Sequence, residues 1–251
     1  MTIATSDSGG GAGIQADLKA FAAAGAHGMS VLVALTAQNT VGVTAIHELP
    51  AVFVRQQLDA VFSDLGVDAA KTGMLFSTTL IETVADYFEQ HRVPLVVDPV
   101  MVASSGAKLL EGDAVDALVG RLFPLATVVT PNLMEAKALA GVDAPRGELA
   151  ERLHALGAAA VVVTGGHGDP VDHLFDGETH VEIPVSRFEI AATHGAGCTH
   201  SATLAALLAR GESLVDAARG AAAAASRAVQ QGLVELGAGE GPVDILGVKS
   251  R

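Results

Sequence analysis

Residues 6–21 read "SDSGGGAGIQADLKAF": four glycines, two aspartates, a glutamine and a lysine set ahead of an apolar run. How this stretch is read separates the nucleotide-binding α/β folds from one another. Gly11 to Ala16 fits the spacing G-x-G-x-x-[GA] of a dinucleotide turn. That turn, however, needs a full strand before it and an acidic residue about 20 positions further on. Only Met1 to Thr5 precede the loop, so either the first strand is shortened or the start is a late one, and after Asp17 the next acid is Glu48. The phosphate loop G-x-x-x-x-G-K-[ST] is excluded too, because no glycine of the stretch is followed by lysine. What remains is a flexible turn feeding a helix N-terminus, with Gln15 and Asp17 as polar groups open to a ligand.

Downstream, short apolar runs alternate with amphipathic ones. "MSVLVALTA", "DAAKTGML", "VPLVVDPVMV", "ATVVTPN" and "AAAVVVTGGH" are strand-like, several with continuous β-branched residues. Between them, "PAVFVRQQLDAVFSDL", "STTLIETVADYFEQH", "EGDAVDALVGRLF" and "RGELAERLHAL" repeat apolar residues at helical spacing. This alternation predicts a largely parallel sheet with helices on both faces. Near Val171 to Val185, two alternating runs flank Asp176-Gly177, a hairpin signal, so an antiparallel edge is expected there. The last third is helical and rich in alanine.

The 251 residues are half apolar with no linker-like segment, which favours a single domain, 1–251, with a large core. Fifteen basic against 28 acidic residues leave a formal charge of −13, which repels a nucleic-acid backbone. The lone Cys198 forms no internal disulfide, and with no signal-like N-terminus the chain reads as reduced and cytoplasmic. Its apolar stretches are too short or too interrupted to span a membrane.

In open sheets, ligands bind beyond the carboxyl ends of the strands. Gln38-Asn39, Lys71 to Met74, Asp98, Asn132 and Gly165-Gly166-His167 all fall at such ends. In "THGAGCTHSATLAALLARG", Gly195 and Gly197 let backbone N–H groups converge at a helix start, either as an anion hole or as an ordinary glycine turn. Cys198 in the first helical turn is expected to have a lowered pKa that suits it to accept a proton, or else to be a small buried hydrophobe. Asn132 and Glu135 have the spacing of a capping box, or place a carboxylate near a hydrated Mg²⁺. Asp98 either adds to that acidic site or satisfies backbone N–H groups after its strand. His27, His47 and His167 have no metal-ligand spacing.

Taken in order, "SDSGGGAGIQADLKAF", "ALTAQNTVGV", "KTGML", "DPVMVASSG", "VTPNLMEA", "TGGH" and "THGAGCTHSA" closely resemble the hydroxymethylpyrimidine/phosphomethylpyrimidine kinases of thiamine biosynthesis, in the ribokinase superfamily. The resemblance extends over nearly the whole chain, to "GEGPV" near its end. It implies a ribokinase-like three-layer α/β/α fold, ATP and Mg²⁺, and a homodimer. The opening loop would wall a pyrimidine pocket in which Asp17 and Gln38 hydrogen-bond the ring and Met74 and Val100 line it. Gly195, Ala196, Gly197 and Cys198 would form the anion hole, with Cys198 as base. Asn132, Thr164, Gly166 and Thr193 would contact the nucleotide, while Asp98 and Glu135 organise Mg²⁺. Three departures stand out. Thr5 replaces a glycine and is expected to narrow the pocket, and Ser104 and Thr164 replace lysines, leaving Lys71 or Lys108 to supply charge. The rival readings are a pyridoxal kinase, which shares the scaffold, and a non-catalytic pyrimidine-binding protein, suggested by the missing lysines.

Overall fold

The computed structural model describes residues 1–101 and 112–248. Strand β1 (Thr2–Asp7) runs through the glycine loop into α1 (Gly13–Ala23), then β2 (Ser30–Gln38) and β3 (Val43–Glu48). Next come α2 (Ala51–Asp64), β4 (Ala70–Thr72), α3 (Thr78–Gln90), β5 (Leu95–Val97) and α4 (Gly112–Ala117). A π turn and a 3-10 turn lead on to β6 (Val128–Val129), α5 (Leu133–Ala140), α6 (Arg146–Ala155) and β7 (Val161–Val163). The hairpin β8 (Val171–Phe175) and β9 (His180–Pro184) precedes α7 (Ala196–Ala209) and α8 (Leu214–Gln230).

One nine-stranded sheet has the order β3-β2-β1-β4-β5-β6-β7-β8-β9. The six strands from β2 to β7 in that order are parallel; β3, β8 and β9 are laid on antiparallel at the two edges. The continuous valine runs follow from burial on both faces. Val97, Val129, Val161 and Val163 pack toward α2, α3, α5 and α6, whereas Val96, Val128 and Val162 pack toward α1, α7 and α8. Each such side chain, fully buried, is worth about 1.5–3 kcal/mol. Helix α3 begins where Ser77 accepts the Leu80 N–H, and its buried face carries Leu80, Ile81, Val84 and Phe88.

Two expectations need correction. The first strand is not shortened: β1 has six residues and pairs with both β2 and β4, so it is central. Its polar threonines hid it from a search for apolar runs, yet Thr2 and Thr5 are both buried. The antiparallel hairpin stands where Asp176-Gly177 placed it, but the second antiparallel edge, β3, was not anticipated. Five of its six residues are exposed, so it lacks the alternation that marks a half-buried strand.

Candidate active site

Connections leaving β1 and β4 diverge: α1 covers one face of the sheet and α3 the other. The order reverses between these strands, so a ligand crevice is expected at their carboxyl ends. The glycine loop, the turn after β4, Asp98 after β5, Asn132 after β6 and Thr164 after β7 all border it.

The glycine loop consumes its own donors. Asp7 Oδ1 accepts the Gly9 N–H at 2.8 Å, and Oδ2 accepts those of Gly11 at 3.0 Å and Ala12 at 2.9 Å. Burial alone would push the Asp7 carboxyl up, but His194, 3.1 Å away, and these N–H groups outweigh it and hold it below the ordinary carboxylate range. A phosphate finds little here to bind. His194 also lies 3.5 Å from Gln38 Nε2, linking the loop to the end of β2. Sequence reasoning passed over Asp7 and His194. The available signal was an aspartate opening a glycine turn, a residue suited to capturing N–H groups two positions on.

Two glycines bring the helix starts together. Gly13 has φ +56°, and a Cβ there would fall 2.2 Å from the Thr5 carbonyl oxygen. Gly195 has φ +85°, and its Cβ would fall 1.8 Å from the Gly11 carbonyl oxygen. Helices α1 and α7 consequently begin against one another, and the Gly13 N–H lies close enough to the Cys198 thiol to favour its thiolate. Cys198 thus sits at two positive helix ends. Its pKa nevertheless departs from expectation. The residue is half-buried, but the thiol itself is enclosed, and burial pushes it up to about 12; Lys71 and the Gly13 N–H pull down, whereas Asp17 and Asp98 add to the rise. Desolvation of the thiolate exceeds the helix-end effect on which the sequence argument relied.

Of the anion-hole segment, Ala196 turns its N–H to the Thr193 carbonyl at 3.0 Å. Gly197 and Cys198 then remain as first-turn donors with no intrahelical acceptor. Thr193 is exposed, and its hydroxyl donates to Glu240.

Below the crevice lies a charged cluster. Lys71 Nζ is 3.0 Å from Asp17 Oδ1 and 3.7 Å from Asp98 Oδ2. Thr2 donates to Asp17 at 2.6 Å, and Ser201 of α7 donates to Asp98 at 2.8 Å. Burial works against the Lys71 ammonium, but Asp17, with Cys198 and Asp98, holds its pKa above the ordinary value. This corrects two assignments. Asp17 has no exposed surface and its carboxylate is taken up by Lys71 and Thr2, so it does not face a ligand directly. Lys71, equally enclosed, is a counter-ion for carboxylates rather than a spare charge for phosphates. Ser104 and Lys108 lie outside the described residues.

Asn132 and Glu135 do form a capping box: Asn132 Oδ1 accepts the Met134 and Glu135 N–H groups at 2.9 Å, and Glu135 Oε2 accepts the Asn132 N–H. The cap leaves Glu135 near enough to Asp98 to feel its charge. Burial, then the Asp98 charge, pushes the Glu135 carboxyl up to about 8. Thr164 lies beside Asn132, its N–H on the Pro131 carbonyl at 2.9 Å, and Gly166 is exposed in the turn that follows. Arg187 braces that turn through the Gly166 and Gly168 carbonyls. Met74 is buried and Val100 half-buried. The Thr5 hydroxyl turns to the Met74 carbonyl at 3.1 Å, so it is absorbed between β1 and the turn after β4.

Among the described residues no helix is long and apolar enough to cross a membrane, and no cluster of three or more His, Cys, Asp or Glu forms a metal cage. The family model described as phosphomethylpyrimidine kinase matches residues 7–244. A hydroxymethylpyrimidine/phosphomethylpyrimidine kinase of Rhizobium meliloti is 50% identical over 97% of this chain and 95% of its own. Two solved structures are also similar. A Bacillus subtilis pyridoxal kinase in complex with ADP has a TM-score of 0.88 and 39% identity, covering 97% of this chain and 95% of that one. A phosphomethylpyrimidine kinase from Clostridium difficile has 0.78 and 38%, covering 88% and 94%. A glycine loop sealed by its own aspartate, facing a helix start that carries Cys198, is thus the local architecture of a chain that belongs to the phosphomethylpyrimidine kinase family.

Proposed function

We propose that residues 1–251 form one kinase domain that moves the γ-phosphoryl group of ATP to the hydroxymethyl group of 4-amino-5-hydroxymethyl-2-methylpyrimidine, then to the resulting monophosphate. These are steps of thiamine diphosphate biosynthesis, in a reduced, cytoplasmic setting. The observation that carries the reading is the placement of Cys198 between two helix N-termini, on a chain half identical to a curated enzyme of that name. Gln38, Met74 and Val100 would contact the pyrimidine. The Asn132 side-chain amide, Thr164, Gly166 and Thr193 would contact the nucleotide, and the Gly197 and Cys198 N–H groups would receive charge developing on the transferred group. Cys198 acts as base in its thiolate form. Burial keeps that form scarce, and Lys71, the Gly13 N–H and the start of α7 favour it.

Two buried carboxyl groups, with the Asp98 charge raising the cost of ionising Glu135 and only oxygen donors between them, suit a hydrated Mg²⁺, so Asp98 and Glu135 would hold it, Glu135 through water. The ion, when bound, neutralises phosphate charge. Because the Glu135 carboxyl is raised from 4.5 to about 8, it retains its proton at neutral pH. Mg²⁺-dependent ADP binding should therefore release a proton near pH 7 and tighten as pH rises toward 8. Calorimetry in buffers of different ionisation enthalpy measures this, and equal proton release by Glu135→Gln would exclude Glu135.

ATP turnover that depends on the pyrimidine tests the main reading; its absence in folded protein would leave a binding protein. The pyridoxal-kinase reading is kept because of the 0.88 TM-score, and turnover of pyridoxal against hydroxymethylpyrimidine decides between the two. A homodimer belongs to the proposal, with exposed Leu35, Val41 and Ile46 along β2–β3 as apolar surface for it. A monomeric mass by light scattering at micromolar concentration would count against it.

A further inference from the structure

Two residues beyond Cys198, α7 carries His200, 4% exposed, and facing it on β8 is Asp172, 2% exposed. His200 Nε2 lies 2.9 Å from Asp172 Oδ2, while Asp172 Oδ1 accepts the Gly165 N–H at 2.6 Å. Neither side chain reaches the crevice chemistry described above. The Asp172 carboxylate is a two-ended connector: one oxygen holds the first residue of the turn after β7, the other holds the helix whose start carries Gly197 and Cys198. His200 Nδ1 is buried with no hydrogen-bond partner. Nε2 is therefore the ring nitrogen that carries the proton shared with Asp172.

A buried polar pair of this kind is weak evidence for stability, since a matched apolar pair often serves as well. What apolar side chains cannot do is fix the turn and the helix in one register through a shared carboxylate. The other side-chain braces on the turn are Arg187, exposed, on the Gly166 and Gly168 carbonyls, and Arg146, buried, on the His167 carbonyl; neither reaches α7. We propose that Asp172 and His200 are positioning residues that align the Gly165–Gly166 turn with the N-terminus of α7, and so set nucleotide affinity and the alignment of phosphoryl transfer. The inference rests on reading that turn as a nucleotide contact.

The test compares His200→Leu, His200→Gln and Asp172→Asn with the parent, using ADP affinity by calorimetry, KM for each substrate and kcat. His200→Leu keeps the volume but strands a buried carboxylate oxygen. ADP affinity and ATP KM should worsen about tenfold, within the range for one buried polar group left unpaired. The pyrimidine KM should stay within about twofold, well below that range. His200→Gln places an amide nitrogen near the position of Nε2 and should recover most of the loss, with Asp172→Asn between the two. A purely structural role would lower thermal stability without separating the two substrates or responding to glutamine. Parent-like ADP affinity in folded His200→Leu, equal worsening of both KM values, or no recovery in His200→Gln would each overturn the proposal. A parent that phosphorylates nothing and binds no ADP would instead overturn the kinase reading beneath it.

Discussion

Cys198→Ala should slow transfer to the hydroxymethyl group by about 10²–10⁴-fold, the usual contribution of a positioned base. Pyrimidine affinity should change little, because the ring contacts assigned to Gln38, Met74 and Val100 are untouched. Transfer to the monophosphate should suffer less. An alcohol has a high-pKa proton to lose as the new bond forms, whereas a phosphate brings an ionised oxygen and depends instead on charge neutralisation and alignment. The pH profile sharpens the expectation. Burial raises the thiol to about 12, so the thiolate fraction, and with it the first-step rate, should keep climbing where an ordinary thiol, at about 8.5, would level off. The second step should not follow that climb. Single-turnover rates for each step, parent against Cys198→Ala, make the measurement. Equal slowing of both would mean that Cys198 shapes the anion hole, and a variant within about threefold of the parent in the first step, far below the range for a base, would make it structural.

The sheet was legible because its inner strands are buried on both faces and so are written in valine; Val96-Val97 and Val161 to Val163 read as strands without help. Strand β1 was not legible, since two of its six residues are threonines whose hydroxyls find partners in Asp17 and the Met74 carbonyl. Strand β3 escaped notice because an edge strand with little buried surface has no pattern to show. For the site, spacing alone brought out the glycine turns, the cap at Asn132 and the helix start at Cys198. Long-range pairings stayed hidden. Asp7 meets His194 across 187 positions, and Asp98 meets Ser201 across 103. Nothing local announces such contacts. The same gap misled the reading of Lys71: a lysine after a short apolar run looks available to phosphates until Asp17, 54 positions earlier, is found 3.0 Å away.

Lys71 therefore carries the largest predicted effect on stability. Lys71→Ala removes one partner of a fully buried ion pair, which typically costs about 3–5 kcal/mol because the remaining charge is left uncompensated. For a chain of this size the melting temperature should fall on the order of 10 °C. The sign with pH is fixed. Burial already holds the Asp17 carboxyl above the ordinary value against the pull of Lys71 and Thr2; without the ammonium only Thr2 opposes it and the rise is larger, so the folded state holds a proton that the unfolded state gives up. The deficit should be smallest in acid, where Asp17 is protonated in both states, and grow as pH rises through the unfolded value toward neutrality. Lys71→Met keeps most of the packing volume and isolates the charge from the cavity. Asp17→Asn/Lys71→Met removes both charges while leaving a carbonyl oxygen for the Thr2 hydroxyl, and it should recover much of the loss. Because Lys71 also favours the Cys198 thiolate, the first transfer should slow more than the second in whatever fraction stays folded. A Lys71→Met protein as stable as the parent and slowed only in transfer to the monophosphate would reverse the assignment, returning Lys71 to the phosphates and leaving Asp17 to be balanced by Thr2 alone.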